Sequence, residues 1–205
     1  MKQVVIVDYG MCNLDSVARA VEECGGKPLL ACEPAALKHA DLIILPGVGS
    51  FSRAAANLRE RGLDQALVEA VREKQTPLLG ICLGMQLMAD RGFEGEECDG
   101  LGLIPGEVRR LQPNEVDCRI PHVGWNEVHP RQASPLFSGI APGTDFYFVH
   151  SYHFCPANDS FTLATTPYAG NFASAVHNGT VFGVQFHPEK SQRTGFALIT
   201  NFLAI

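Results

Sequence analysis

Leu79-Gly80-Ile81-Cys82-Leu83-Gly84-Met85 is the stretch that decides how this chain is read. Apolar residues from Pro77 to Leu79 run into a Gly-x-Cys-x-Gly turn, and a helix-forming stretch, Met85 to Ala89, follows. That order is the cysteine form of a nucleophile elbow, a sharp strand-to-helix turn that lifts one side chain out of a sheet. A Cβ at Gly80 or Gly84 would crowd the neighbouring strands or the helix, so both positions call for glycine. The N-terminus of the helix behind Cys82 favours negative charge, on the sulfur and on an oxyanion beside it. A thiol nucleophile needs a base. His187-Pro188-Glu189 stands 187 − 82 = 105 residues downstream, and the two segments together predict a Cys-His-Glu site for acyl transfer.

Outward from the elbow, the first ninety residues alternate short β-branched runs with longer amphipathic ones. Val4 to Asp8 reads as a strand and Leu14 to Cys24 as a helix, with Leu14, Val17, Ala18, Val21 and Cys24 on one face. Pro28 to Ala31 reads as a strand, Pro34 to His39 as a short helix, and Asp41 to Leu45 as a strand. A helical region from Phe51 to Lys74, broken near Gly62, leads to the strand that ends at Gly80. Such alternation implies βαβ units and a parallel sheet. Past the elbow the pattern changes: Gly92 to Gly102 is acidic and glycine-rich and reads as a surface loop. Beyond it lie β-rich segments, Ile104 to Leu111, Cys118 to Val128, Phe146 to His150, Thr162 to Thr166, Ala173 to His177 and Thr180 to Phe186. Asn178-Gly179 is a hairpin signal between the last two, and a closing helix covers Gly195 to Leu203. The expected fold is α/β: a flavodoxin-like, mostly parallel sheet flanked by helices, with an added antiparallel β region in the second half.

At 205 residues and 46% hydrophobic content, the chain predicts a single domain over 1–205 with a sizeable core. Its 16 basic residues are scattered and the net charge is −6, which leaves no footprint for nucleic acid or an anionic membrane. Apolar runs such as Leu42 to Leu45 are strand-sized, far short of the ~20 residues of a membrane span. The N-terminus lacks the long apolar stretch of a signal peptide and reads directly as a strand. Cysteines stand at 12, 24, 32, 82, 98, 118 and 155, seven in all with no CxxC pair. That pattern argues against a disulfide framework or zinc site and for a reducing cytoplasm. Apart from Cys82 they read as inert: Cys24 lies on the packed helix face, and Cys32, Cys98, Cys118 and Cys155 lack motif context.

His187 and Glu189 follow the apolar run Val181-Phe182-Gly183-Val184-Gln185-Phe186, at the strand end where functional groups of parallel sheets gather. An extended i, i+2 spacing points both side chains the same way, with Pro188 stiffening the turn. His187 can then take the Cys82 proton while Glu189 orients the ring. A lone histidine at a strand end is more often structural; beside Pro188, Glu189 and an elbow cysteine it is not. Leu45-Pro46-Gly47-Val48-Gly49-Ser50-Phe51 closes the third core strand, where its glycines free backbone N–H groups for a ligand. The amide of Leu83 and one from this loop would form an oxyanion hole. No Gly-Lys-Ser/Thr follows, which disfavours a phosphate loop.

Pro-Gly-Val-Gly, Gly-Ile-Cys-Leu-Gly-Met-Gln and His-Pro-Glu, in this order and spacing, resemble the class I (triad) glutamine amidotransferases. Further stretches narrow the resemblance: Asp8-Tyr9-Gly10 with Asn13, Pro121-His122-Val123-Gly124-Trp125-Asn126, Tyr147-Phe148-Val149-His150-Ser151-Tyr152, and Lys190-Ser191. These are similar to the free-standing glutaminase subunits of imidazole glycerol phosphate synthases, over essentially the whole chain. The resemblance implies hydrolysis of L-glutamine to glutamate and ammonia through a γ-glutamyl thioester on Cys82. It also implies a heterodimer in which ammonia passes to a (β/α)8-barrel cyclase of histidine biosynthesis. By matching positions, His187 moves the proton, Glu189 orients it, and the amides of Val48 and Leu83, within Gly47-Val48-Gly49 and the elbow, hold the oxyanion. Gln86 and Ser151-Tyr152 grip the amino-acid end of the substrate. Asn13, Arg19, Trp125, Tyr147 and Lys190 match positions facing the partner. No metal or organic cofactor is implied.

The resemblance also implies coupling: a peptide near Gly47-Val48 would aim a carbonyl at the oxyanion position until acceptor binding in the partner corrects it. One departure is Cys12, where the family usually has glycine. If that position has φ > 0, cysteine is strained there; if glycine serves close packing, the docking surface has shifted. Cys12 keeps open a paralogous glutaminase that feeds a sugar-amidating enzyme of surface-polysaccharide synthesis. A related cysteine peptidase or deglycase would place a histidine soon after the nucleophile, whereas the next one here is His122. A catalytically silent scaffold would have lost one of Cys82, His187 or Glu189.

Overall fold

The structure is a computed structural model that describes residues 2–114 and 119–205. Strands buried on both faces read as continuous apolar runs, and helices with one apolar stripe fill the gaps between them. In chain order these are β1 (Gln3–Val7), α1 (Leu14–Glu23), β2 (Lys27–Ala31), a 3-10 turn (Pro34–His39), β3 (Leu42–Leu45), α2 (Phe51–Glu60), α3 (Leu63–Arg72), β4 (Leu78–Ile81) and α4 (Leu83–Leu87). Gly62 breaks the predicted long helix by adopting φ +66° between α2 and α3. The second half adds β5 (Arg91–Gly92), β6 (Cys98–Asp99), β7 (Gly106–Arg110), β8 (His122–Pro130), β9 (Thr144–His150), β10 (Tyr152–Pro156), β11 (Thr162–Thr166), β12 (Phe172–Asn178), β13 (Val181–Val184) and α5 (Gln192–Ala204).

Among the described residues the main sheet has nine strands in the order β2-β1-β3-β4-β13-β12-β11-β8-β9. From β2 to β13 all neighbours are parallel, and from β13 to β9 all are antiparallel. The expected antiparallel addition therefore continues the core sheet. A separate four-stranded sheet, β10-β7-β5-β6, lies beside it. One core layer joins α1 and α5 to one face through Val17, Val21, Leu198 and Phe202. The other packs α2, α3 and α4 against the opposite face through Phe51, Leu58, Leu67 and Met85. No described helix is long and apolar enough to cross a membrane.

Four expectations are corrected. The 92–102 stretch is not a plain loop: Gly92 and Cys98–Asp99 pair in the second sheet, with β5 also flanked by β7. Its strands are two residues long, too short for a periodic signal. Strand β10 has no counterpart among the predicted segments because His150, Ser151 and Tyr152 continue one β-like run that the structure splits between two sheets. The β12–β13 hairpin turns at Gly179-Thr180, since Asn178 pairs with Val181, one residue later than its sequence signal. Strand β8 runs to Pro130; the start expected at Cys118, and the reading of Cys118 itself, lie outside the described residues.

Candidate active site

Strand β4 sits between β3 and β13, and the chain leaves it through Cys82 at φ 54°, ψ −111°. A non-glycine residue with positive φ costs on the order of 1–3 kcal/mol, which the surrounding packing must hold. The Cys82 amide donates to the Val184 carbonyl at 2.8 Å, tying the elbow to β13. A Cβ on Gly84 would stand 1.7 Å from the Leu45 carbonyl oxygen, and one on Gly80 would stand 2.7 Å from the Met85 nitrogen. Both elbow glycines are therefore required by close approach, as the motif predicts. Helix α4 begins at Leu83 and spans five residues. Its contribution to charge at Cys82 comes from the first free amides more than from a long dipole.

His187 follows β13 and Glu189 lies two residues on, in a 3-10 turn. Glu189 Oε1 accepts from His187 Nδ1 at 2.7 Å, with both side chains only 2% exposed. Burial lowers the His187 pKa, but interaction with Cys82 and then with Glu189 outweighs it and raises the ring to about 9. Nε2 is buried without an aligned hydrogen-bond partner among the described residues. The Cys82 sulfur is thus its close electrostatic neighbour but not yet a well-directed acceptor. Ser191 Oγ braces the turn, donating to the His187 carbonyl at 2.6 Å and accepting from the Tyr147 amide at 3.0 Å.

The 46–49 loop does not present both of the amides expected to hold the oxyanion. The Leu83 amide lies at the elbow, but the Val48 amide donates to the Met11 carbonyl at 2.9 Å. It is committed away from the cysteine, so the second oxyanion donor is not presented in this conformation. Gly49 has φ +104°, and a Cβ on Gly47 would meet the Tyr9 hydroxyl at 2.2 Å. That hydroxyl donates to the Pro46 carbonyl at 2.9 Å. The Cys12 thiol approaches the same carbonyl at 3.6 Å and the Val7 carbonyl at 3.7 Å. Cys12 is not among the residues with positive φ, so cysteine carries no backbone strain at this position. Burial pushes its thiol up to about 11, which fits a packing role.

Cys82, His187, Val48, Leu83, Gln86 and the 151–152 segment line one cavity of about 570 Å³. A larger cleft of about 740 Å³ lies along β10 and contains none of the triad. Gln86 is buried, and its Nε2 donates to the Tyr152 carbonyl at 2.9 Å and to Gln185 Oε1 at 3.0 Å. With both hydrogens taken, its carbonyl oxygen is what it can offer a ligand. Three lining or adjoining residues escaped sequence reasoning: Glu94, His150 and Gln185. Glu94 sat in the supposed loop; its carboxylate accepts from the Phe51 amide at 2.7 Å, capping α2 at the cavity wall. Gln185 lay inside an apolar run, where alternation alone marks it as buried.

None of the five residues assigned to a partner face lines the cavity. Asn13, Arg19 and Lys190 are exposed, and α1 packs against the 188–190 turn. Trp125 and Tyr147 are directly opposed on β8 and β9 with ring centroids 6.1 Å apart. Trp125 is 48% exposed, and Val123, Val149 and Val48 are exposed with it. Among the described residues no group of three or more His, Cys, Asp or Glu could hold a metal ion.

Comparison with known proteins gives this geometry a family. The model of the class-I glutamine amidotransferases matches residues 5–205. The chain is 46% identical over 202 residues to the imidazole glycerol phosphate synthase subunit HisH of Moorella thermoacetica, covering 98% of this chain and 94% of that one. It is 45% identical over 199 residues to the subunit HisH 1 of Campylobacter jejuni, covering 97% and 98%. Among solved structures, a glutamine amidotransferase aligns with TM-score 0.77 at 20% identity, covering 98% and 97%. PurLQS from Thermotoga maritima aligns with TM-score 0.74 at 21% identity, covering 100% and 99%; both likenesses are of fold. With the elbow, the His-Glu pair and a family match running to the last residue, the chain belongs to the class-I glutamine amidotransferases.

Proposed function

We propose that this chain is the glutaminase subunit of an imidazole glycerol phosphate synthase, a single amidotransferase domain over 1–205 that works in the cytoplasm. The observation that carries the reading is the meeting of Cys82 and His187 at one cavity, with Glu189 buried behind them and bonded to the far nitrogen of the histidine. Near-full-length identity to subunits of that name supports the pathway. The Cys82 sulfur attacks the side-chain carbonyl carbon of L-glutamine, and His187 passes a proton to the departing nitrogen, which leaves as ammonia. Water then attacks the γ-glutamyl thioester, His187 takes its proton, and glutamate leaves as the sulfur is released. Glu189 stabilises the imidazolium formed in each half-reaction. Glu94 and the Gln86 carbonyl oxygen suit the substrate ammonium, and Ser151-Tyr152 suits its carboxylate.

The Val48 amide bonded to Met11 gives this cycle a gate. Until that peptide turns, only Leu83 faces the oxyanion, and a missing donor of this kind costs about 10²–10³ in rate. A partner that binds the turned state more tightly would release the brake, a population shift set by differential affinity. The Trp125, Tyr147 and Lys190 rim is the docking face for a (β/α)8-barrel cyclase, and the pair is a heterodimer. The test is glutamate release by the chain with its cyclase, with and without the cyclase's nucleotide acceptor. Stimulation by both, absent in Cys82→Ser, supports the assignment. Stimulation by the barrel alone moves the ammonia to another acceptor, the sugar-amidating pathway first, and no release in any mixture defeats the glutaminase reading.

A further inference from the structure

A line of side-chain hydrogen bonds runs from β8 to the elbow cysteine. Asn126 Nδ2 donates to His122 Nε2 at 3.2 Å, and His122 Nδ1 meets His150 Nε2 at 3.0 Å. His150 Nδ1 lies 2.8 Å from the Tyr152 carbonyl oxygen, which also accepts from Gln86. Gln86 bonds Gln185, and Gln185 Nε2 faces the Cys82 sulfur at 3.7 Å. The direction of the line is forced. A carbonyl only accepts, so His150 carries hydrogen on Nδ1. Burial, against the Tyr152 bond, pushes His150 down to about 3, so its ring is neutral and Nε2 accepts from His122. His122 and His150 are directly opposed across β8 and β9, and His122 stacks between Tyr168 at 3.9 Å and Phe148 at 4.8 Å. His122, His150, Gln86 and Gln185 are all buried. A satisfied buried network of this kind holds one arrangement, because each alternative leaves a polar group unpaired.

We propose that His150 is a positioning residue for the glutamine site: its Nδ1–H fixes the Tyr152 carbonyl, which fixes the Gln86 amide and leaves the Gln86 carbonyl oxygen for substrate. The line starts at Asn126, beside Trp125 on the exposed strand, so a partner seated there pulls on the same network. This inference rests on the glutaminase reading and extends it to His150, His122 and Asn126, side chains that the sequence reading gave no role.

The test compares alkylation of Cys82 by two reagents in the full-length chain bound to its cyclase, with the cyclase's nucleotide acceptor present. Diazo-oxo-L-norleucine is glutamine-shaped and needs the substrate site; iodoacetamide needs only the thiol. In His150→Phe, labelling by the diazoketone should slow about tenfold or more, as expected for a fixed buried hydrogen bond, while iodoacetamide changes less than about twofold. His150→Asn keeps a donor near Nδ1 and should recover to within about threefold of the parent. His122→Leu, a second test if His150→Phe does not fold, should slow the diazoketone by about threefold, because the bond to Tyr152 survives. Equal slowing with both reagents would overturn the proposal in favour of general support of the elbow. So would unchanged labelling or failure of asparagine to rescue. A parent complex, with cyclase and nucleotide acceptor present, that reacts with iodoacetamide but ignores the diazoketone overturns the glutaminase reading and the relay with it.

Discussion

Glu189→Gln removes a charge while keeping the shape of the side chain, and the site lets its effect be sized. Oε1 lies 2.7 Å from His187 Nδ1 with both side chains 2% exposed, so water does little to screen the pair. With charge centres about 4 Å apart and an effective dielectric near 20, the attraction to an imidazolium is about 4 kcal/mol. That corresponds to roughly three decades in the rate of any step whose transition state carries the imidazolium. The glutamine carbonyl oxygen can still accept from Nδ1–H, so the tautomer survives and the loss is mainly electrostatic. Glu189 Oε2 has no hydrogen-bond partner among the described residues, so an amide nitrogen placed there breaks no bond. The assay is glutamate release at saturating glutamine in the complex with the cyclase, with urea unfolding to confirm that the variant is folded. A fall of less than about tenfold in a folded variant would refute the assigned role of Glu189.

Other outcomes follow from the same geometry. His187 should titrate near 9 by NMR in the parent and lower in Cys82→Ser, because its interaction with the sulfur is the largest influence raising it. The shift is upward, so the protonated ring stabilises the fold fully below about 6.5 and this is lost as pH rises through 9. Stability measured by urea unfolding across that window should therefore fall less in Cys82→Ser than in the parent. Gly84→Ala forces its Cβ against the Leu45 carbonyl and should cost about 1–3 kcal/mol or more by the same assay. A misplacement near 1 Å at the elbow can cost about 10²-fold in rate, so turnover should fall with it. Ser191→Ala strips a donor from His187 and an acceptor from Tyr147; thermal unfolding should show a loss of about 1–3 kcal/mol.

The parallel half of the fold was legible because its signals are local and redundant. Apolar strands such as Leu42–Leu45 are buried throughout, Gly62 breaks a helix, and the stripe selected on α1 buries Val17 and Val21 and packs Leu14, Ala18 and Cys24 partly buried against the same core. The second half was less legible because pairing, not periodicity, defines it: Cys98–Asp99 is a strand only because Arg91–Gly92 lies beside it. In the site, Cys82, His187 and Glu189 were readable from motifs whose residue types are scarce. Glu94 and His150 were not, since an acidic residue in a glycine-rich stretch and a histidine at a strand end become site residues only through long-range folding. The direction of the Val48 amide is a choice of one peptide orientation, and Pro-Gly-Val-Gly permits more than one.

The most direct test of the central claim is to mix the chain and its cyclase with L-glutamine, quench with acid during turnover, and map the peptides by mass. The account predicts a γ-glutamyl group on Cys82 that disappears once glutamine is exhausted, with none on the other six cysteines. Glutamate release that persists in Cys82→Ser, or an adduct on another cysteine, would contradict it.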